Sequence, residues 1–317
     1  MAIQTTLGKA FEFACLQSLY DYLIDNQNVI INQTNALLVA KKSYENAVVS
    51  MRNKMDDAAN AATRVILRLE PQLENPLTNI PLYLLIQEDA AGIAGDVRDI
   101  VCIRRQNQWE IGLSCKHNHS AVKHSRLSPR IDFGELWFGI PCSQEYFDTI
   151  NPLFNELTSM KNEDILWRNV PNKEQRFYTP LLEAFIRELR RLDFENPGQI
   201  PTRLLNYLLG RNDFYKVITH DRRRCTQIQC FNIYSTLNRN AGTRRPLINV
   251  PQLIMPSRFY NIDFKPNSGN TILVACDNGW TISMRIHSAR SLVEASLKFD
   301  VSLAGVPPAL YTTYEPW

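Results

Sequence analysis

The chain has 317 residues, 44% hydrophobic and 21% charged, with a formal net charge of +3. That composition excludes a disordered chain and leaves room for one large globular domain or two; so mild a charge demands no nucleic-acid partner, and what counts is where the basic residues cluster. The N-terminus MAIQTTLGKAFEFACLQ lacks the features of a signal peptide, no apolar run approaches a membrane span, and the seven cysteines form no CxxC pair, so a cytoplasmic protein with reduced thiols is expected.

Residues 5–25 read as an amphipathic helix. Thr5 or Thr6 can cap it, and Leu7, Phe11, Ala14, Cys15, Leu19 and Tyr22 make the apolar stripe. Glu12 lies among apolar residues in GKAFEFACL. A carboxylate there either snorkels at the rim or is held for a purpose. Residues 31–69 are alanine-rich and predict one or two long packing helices, with Pro71 marking an end. LYLLIQ, residues 82–87, is a strand or a helix end. Asp96 caps or braces the turn that follows.

Chemistry concentrates in the next stretch. Residues 99–105 are β-rich, and residues 109–116 alternate: Trp109, Ile111, Leu113 and Cys115 on one face, Glu110, Gly112, Ser114 and Lys116 on the other. That is the period of a half-buried strand. Gln106, Asn107 and Gln108 separate the two runs, which predicts an antiparallel hairpin with Asp99 opposite Ser114 or Cys115. Asp99 and Lys116 can then share one small volume. A carboxylate can hold a divalent cation there, and a lysine can orient or deprotonate water and offset phosphate charge, as phosphodiester cleavage requires. The plain alternative is a strand pair with solvated charges.

A basic run follows, in which His119, Lys123, His124, Arg126 and Arg130 read as phosphate or base contacts or as surface charge. The tripeptide His117-Asn118-His119 is not an HNH nuclease motif, whose residues are spread over a ββα unit. Cys115, His117 and His119 would align on a strand, but no second ligand pair follows, so zinc is set aside. Residues 132–139 are aromatic and predict packing. Residues 144–210 read as helical, most clearly over 177–192, with Pro180 in the first turn. Residues 213–237 switch to β character, with Arg222, Arg223 and Arg224 placed on a strand beside Gln227 and Gln229. Residues 238–245, NRNAGTRR, form an exposed basic loop containing Arg244 and Arg245. Residues 257–303 are β-rich, with turn signals at Gly269-Asn270 and Asn278-Gly279.

An acid on one strand followed by acid-x-Lys on the next is the motif of the PD-(D/E)xK nucleases, which the hairpin resembles. Asp99 matches the first acid and Lys116 the lysine. Ser114 stands where that superfamily usually has Asp or Glu. Glu110 cannot simply replace it, because six strand residues place it about 20 Å from Lys116. The superfamily often carries a metal-binding Glu on an N-terminal helix, a habit that Glu12 fits. Over the whole chain, GKAFEFACL, GDVRDIV, EIGLSCKHNHSAVKHSRLS with IDFGELW, and DNGWTISMRIHSA with LKFDVSLAGVP resemble the HaeIII-type type II restriction endonucleases.

The resemblance implies an α/β fold: a PD-(D/E)xK-like mixed sheet flanked by helices, with a helical and β-rich recognition extension. Residues 1–145 would form the nuclease core and residues 146–317 the recognition region, or the two would be continuous. It implies Mg²⁺-dependent cleavage of double-stranded DNA at the palindrome GGCC. Asp99, Glu12 and the main-chain carbonyl of Cys115 would hold the metal. Lys116 would position water, and Ser114 would hold another by hydrogen bond. His119, Lys123, His124, Arg126, Arg130, Arg222, Arg223, Arg224, Arg244 and Arg245 would meet the DNA. Either a homodimer or a monomer nicking each strand in turn could cut a palindrome. Two further readings stay open: a non-catalytic DNA-binding protein on this scaffold, supported by Ser114, and a repair or structure-specific nuclease.

Overall fold

The computed structural model describes residues 3–74, 80–88, 95–118 and 122–317. Among them are seven α-helices and two β-sheets, a mixed α/β fold. The chain divides into two compact units that interleave in sequence. The first comprises residues 1–120, 210–253 and 308–317; the second comprises 121–209 and 254–307. A single boundary at residue 145 does not describe this division. The first sheet recruits strands from three separate stretches, and such long-range pairing leaves no local mark on the sequence.

In the first unit, α1 (Ile3–Leu23), α2 (Asn35–Glu45) and α3 (Val49–Leu69) pack together against a seven-stranded sheet. Its strands are β1 (Val29–Ile31), β2 (Leu82–Ile86), β3 (Ile100–Arg104), β4 (Trp109–His117), β6 (Phe214–His220), β7 (Cys225–Phe231) and β12 (Thr312–Pro316), adjacent in that order. β1 runs parallel to β2 and β4 parallel to β6; the other neighbours are antiparallel. Thr34 caps α2 by accepting from Leu37 N–H, and α3 stops just before Pro71 as expected. The predicted α1 stripe is buried except at its ends: Leu7 is half-buried and Tyr22 is exposed.

The hairpin forms in the expected register, with Ile100 paired to Leu113 and Arg104 to Trp109. β4 is more covered than a half-buried strand: on its polar face Gly112 and Ser114 are as buried as Ile111 and Leu113, while Glu110 is exposed and Lys116 intermediate. Gly112 is covered by the Arg98 side chain, which crosses it; a Cβ there would come within 2.0 Å of Arg98. Arg222, Arg223 and Arg224 are not on a strand. They are exposed in the turn that joins β6 to β7, where Arg224 takes a left-handed φ of 47°.

The second unit holds β5 (Lys123–Leu127), β8 (Phe259–Phe264), β9 (Thr271–Cys276), β10 (Thr281–His287) and β11 (Leu297–Gly305). They form an antiparallel sheet in the order β5-β11-β10-β9-β8. The turn between β9 and β10 uses Asn278 at φ 56°, as its sequence predicts. Helices α4 (Phe133–Phe138), α5 (Gln144–Asn162), α6 (Thr179–Glu195) and α7 (Ile200–Leu209) complete it, the first two capped by Asp132 and Ser143. Phe133, Trp137, Phe185 and Phe299 interlock at its centre.

Candidate active site

The hairpin register sets Asp99 beside Ser114 at the end of β3. Asp99 N–H donates to the Leu113 carbonyl at 2.7 Å, which fixes the residue at the strand end. One carboxylate oxygen, Oδ2, gathers three donors: Cys115 N–H at 2.7 Å, Lys116 Nζ at 3.0 Å and Ser114 Oγ at 3.4 Å. The acid and the lysine singled out in the sequence therefore meet. Burial pulls the Lys116 pKa down, but the Asp99 and Glu12 carboxylates outweigh it and leave the ammonium above its ordinary value.

Glu12 enters from α1, which packs on β4. It is buried, with Oε2 3.2 Å from Lys9 Nζ. Burial, and then the charge of Asp99, push its carboxyl up to about 8, against the opposing pull of Lys9 and Lys116. Glu12 is thus not a solvated rim residue: its charge is felt by both halves of the Asp99–Lys116 pair. The Cys115 side chain lies in the core, where a hydrogen bond with Cys15 and burial raise its thiol well above the ordinary range. With its N–H committed to Asp99, the main-chain carbonyl is the only group Cys115 has for a cation.

Among the described residues no cluster of three His, Cys, Asp or Glu side chains stands ready for a metal. The donor set still suits a hard divalent ion. Two carboxylates, one of which (Asp99) raises the proton affinity of the other (Glu12), plus a carbonyl, are oxygen ligands of the kind magnesium takes, with water and substrate phosphate filling the remaining positions.

Asp96 braces rather than reacts. Arg98 is buried and binds Asp96 at 2.7 Å and Glu110 at 2.8 Å, so both acids are spent on holding Arg98 across Gly112.

The expected DNA contacts fall into two sets. Arg222, Arg223 and Arg224 follow β6, whose end lies level with the end of β4 through Lys116↔Ile218 and His117↔Thr219. Their turn is tied to β4: Asp221 N–H donates to Asn118 Oδ1 at 3.0 Å, and Asn118 N–H to the Thr219 carbonyl at 3.1 Å. His117 Nε2 lies 3.5 Å from Asp221, its pKa lowered by burial. Arg244 and Arg245 are exposed in the same unit, Arg244 pairing with Glu74 at 3.1 Å. In the second unit, Lys123, His124 and Arg126 lie on β5; Arg126 is exposed and bonds Ser296 Oγ at 2.7 Å and Glu294 at 3.4 Å. Arg130 lines an open groove of about 750 Å³ with Lys161 and Arg290. His119 lies outside the described residues.

Lys216 was not singled out by its sequence. It lies on β6 directly beside Ser114 and is 4% exposed. Burial and the charge of Lys116 lower its pKa to about 7. A lysine inside FYKVITH was the available signal: a cation in the middle of an otherwise apolar, β-branched strand.

The sequence pattern of the HaeIII restriction endonuclease family matches residues 8–307. The chain is 43% identical over 310 residues to the type II restriction enzyme HaeIII of Haemophilus aegyptius, an alignment covering 98% of this chain and 97% of that protein. No solved structure matches.

Proposed function

Because the chain belongs to the HaeIII restriction endonuclease family, and is therefore a sequence-specific DNA endonuclease, we propose that it cuts both strands of GGCC in the presence of Mg²⁺. Family membership makes it a site-specific deoxyribonuclease of a restriction-modification system, and sets aside the non-catalytic and structure-specific readings. No helix of the described residues is long and apolar enough to cross a membrane; we place the enzyme in the cytoplasm, where its DNA substrate is.

One observation carries the mechanism: Asp99 Oδ2 lies within hydrogen-bond reach of Cys115 N–H, Lys116 Nζ and Ser114 Oγ at one strand end. Asp99, Glu12 and the Cys115 carbonyl would hold the divalent ion. When bound, that ion polarises the scissile phosphate and acidifies water. Lys116, drawn out of its pairing with Asp99, directs its ammonium at the attacking water and the phosphate oxygens. Ser114 keeps a hydrogen bond for solvent at the position where most of the superfamily has a charge. That lowers the negative charge of the site by one and leaves Glu12 as the second carboxylate. Two protomers related by a two-fold axis would each cut one strand of the palindrome.

The test is digestion of a long natural DNA with Mg²⁺. Discrete fragments whose ends map to GGCC are expected. A smear, or fragments mapping to another sequence, overturns the specificity. Fragments formed equally well in EDTA overturn the metal. Nicked circles that accumulate before linear product overturn the concerted dimer.

A further inference from the structure

The active-site strand has a neighbour whose chemistry the hairpin motif does not include. β4 and β6 run parallel with Ser114 level with Lys216, and level residues on adjacent strands point to the same side of a sheet. The row continues through Gln229 on β7, which pairs with Lys216. Asp99, Ser114, Lys216 and Gln229 therefore lie along one line across the sheet, one strand spacing apart. Lys116 is two residues further along β4, so its Cα lies about 8 Å from that of Lys216. Both side chains are long enough to converge on one phosphate.

A lysine normally keeps its ammonium in water and buries only its stem. Lys216 does not, being 4% exposed. Burying a lysine in the sheet interior opposes folding, which asks what its amine does there. The cross-strand neighbour of Lys216 on β4 is Ser114, at the position where the superfamily usually has an acid.

We infer that Lys216 is a second active-site lysine, which meets the scissile phosphate from the strand beside Lys116 and stabilises the charge that develops there. The inference rests on the reading of Asp99 and Lys116 given above. It deepens that reading by assigning the electrostatic task to two strands.

The experiment compares Lys216→Met, Lys216→Gln and Lys216→Arg with Lys116→Ala in the full-length protein. Three quantities are read: single-turnover cleavage of a GGCC duplex at saturating Mg²⁺, binding of that duplex without metal, and Tm. Removing one preorganised donor from a transition state costs about 100-fold or more in rate. Lys216→Met and Lys216→Gln are expected to lose that much while binding stays within about 3-fold and Tm is unchanged or higher. Lys216→Arg is expected to recover part of the rate. Cleavage by the Met and Gln variants within about 3-fold of wild type overturns the inference, as does a loss of cleavage matched by a loss of binding or of Tm. Those results leave the Asp99–Lys116 reading standing provided Lys116→Ala is inactive. An active Lys116→Ala overturns that reading first.

Discussion

The two sheets bury different things. Among the described residues, the first unit buries Glu12, Glu70, Arg98, Arg104, His117, Asp213 and Lys216, whereas from the same five residue types (Asp, Glu, His, Lys and Arg) the second buries Glu188 alone, satisfied by Ser143 and Arg191. In the second sheet, Ile282, Met284 and Ile286 point inward on β10 while Ser283, Arg285 and His287 point away, and β11 repeats the pattern with Leu297, Phe299 and Val301. That is a sheet built for packing. The first sheet buries more charge. Part of it is satisfied structurally, Arg98 by Asp96 and Glu110, Arg104 by main-chain carbonyls and Asp213 by the N–H groups of Ile233, Tyr234 and Thr236. Glu12 and Lys216 differ in that the first feels the charge of Asp99 and the second that of Lys116.

The strongest way to break this comparison is to remove a charge from the first sheet. Lys116→Ala is expected to lose at least about 1,000-fold in cleavage, roughly 4 kcal/mol of barrier, with DNA binding largely kept. Asp99→Ala should be inactive at any Mg²⁺ concentration. Glu12→Ala should be rescued in part by excess Mg²⁺, because losing one of several ligands weakens affinity before it destroys geometry. An unchanged Mg²⁺ dependence would return Glu12 to packing. In the second sheet the matching substitution is Phe299→Ala, which removes a ring 5.2 Å from that of Phe185. Its cost is about 3–5 kcal/mol of stability, read by denaturant unfolding, and should be the same at pH 5 and pH 8.

Stability of the first unit, by contrast, should depend on pH. Glu70 is fully buried at the end of α3, and Oε1 accepts from both Tyr215 Oη and Asn238 N–H at 2.6 Å. Burial raises its carboxyl to about 7, against those hydrogen bonds. The folded protein therefore keeps a proton that the unfolded chain has lost, so this group's contribution falls as pH rises from about 4.5 to 7, by up to about 3 kcal/mol. Gln at position 70 can accept the same two bonds and carries no charge. Glu70→Gln should flatten the fall relative to wild type, measured as ΔG of unfolding across that range. A variant with the wild-type slope would show that Glu70 stays ionised.

The hairpin was legible because its two strands are neighbours in sequence: Asp99, Ser114 and Lys116 need only a short turn and a two-residue period. Glu12 was legible as a charge in an apolar stripe. Lys216 was not, because what gives it meaning is a parallel pairing with β4 across a long intervening segment, nearly all of it in the other unit. The same long-range pairing hid the unit boundaries, and the Arg98 side chain lying over Gly112 covers part of the face of β4 that its alternation leaves to solvent. The run around Arg222, Arg223 and Arg224 is β-rich on both sides and predicts a strand through them, because it gives no local sign of where the turn falls.

The smallest effects expected are the most informative about recognition. Guanine offers N7 and O6 in the major groove, and a bidentate arginine is their commonest partner. The turn holding Arg222, Arg223 and Arg224 is exposed, follows the strand beside Lys116, and is tied to it through Asp221 and Asn118. Arg224 also lies 5.8 Å from the Trp317 ring, which restrains it. At least one of the three should read a guanine, and its Ala variant should lose about 1–3 kcal/mol of discrimination at one base pair. The others should weaken binding evenly across sequences and flatten its salt dependence, as phosphate contacts do. Competition between a GGCC duplex and its single-base variants separates these outcomes. If all three variants keep full discrimination, base reading belongs to the second unit, where Lys123, His124, Arg126 and Arg130 carry the basic charge, and the first unit keeps only the chemistry.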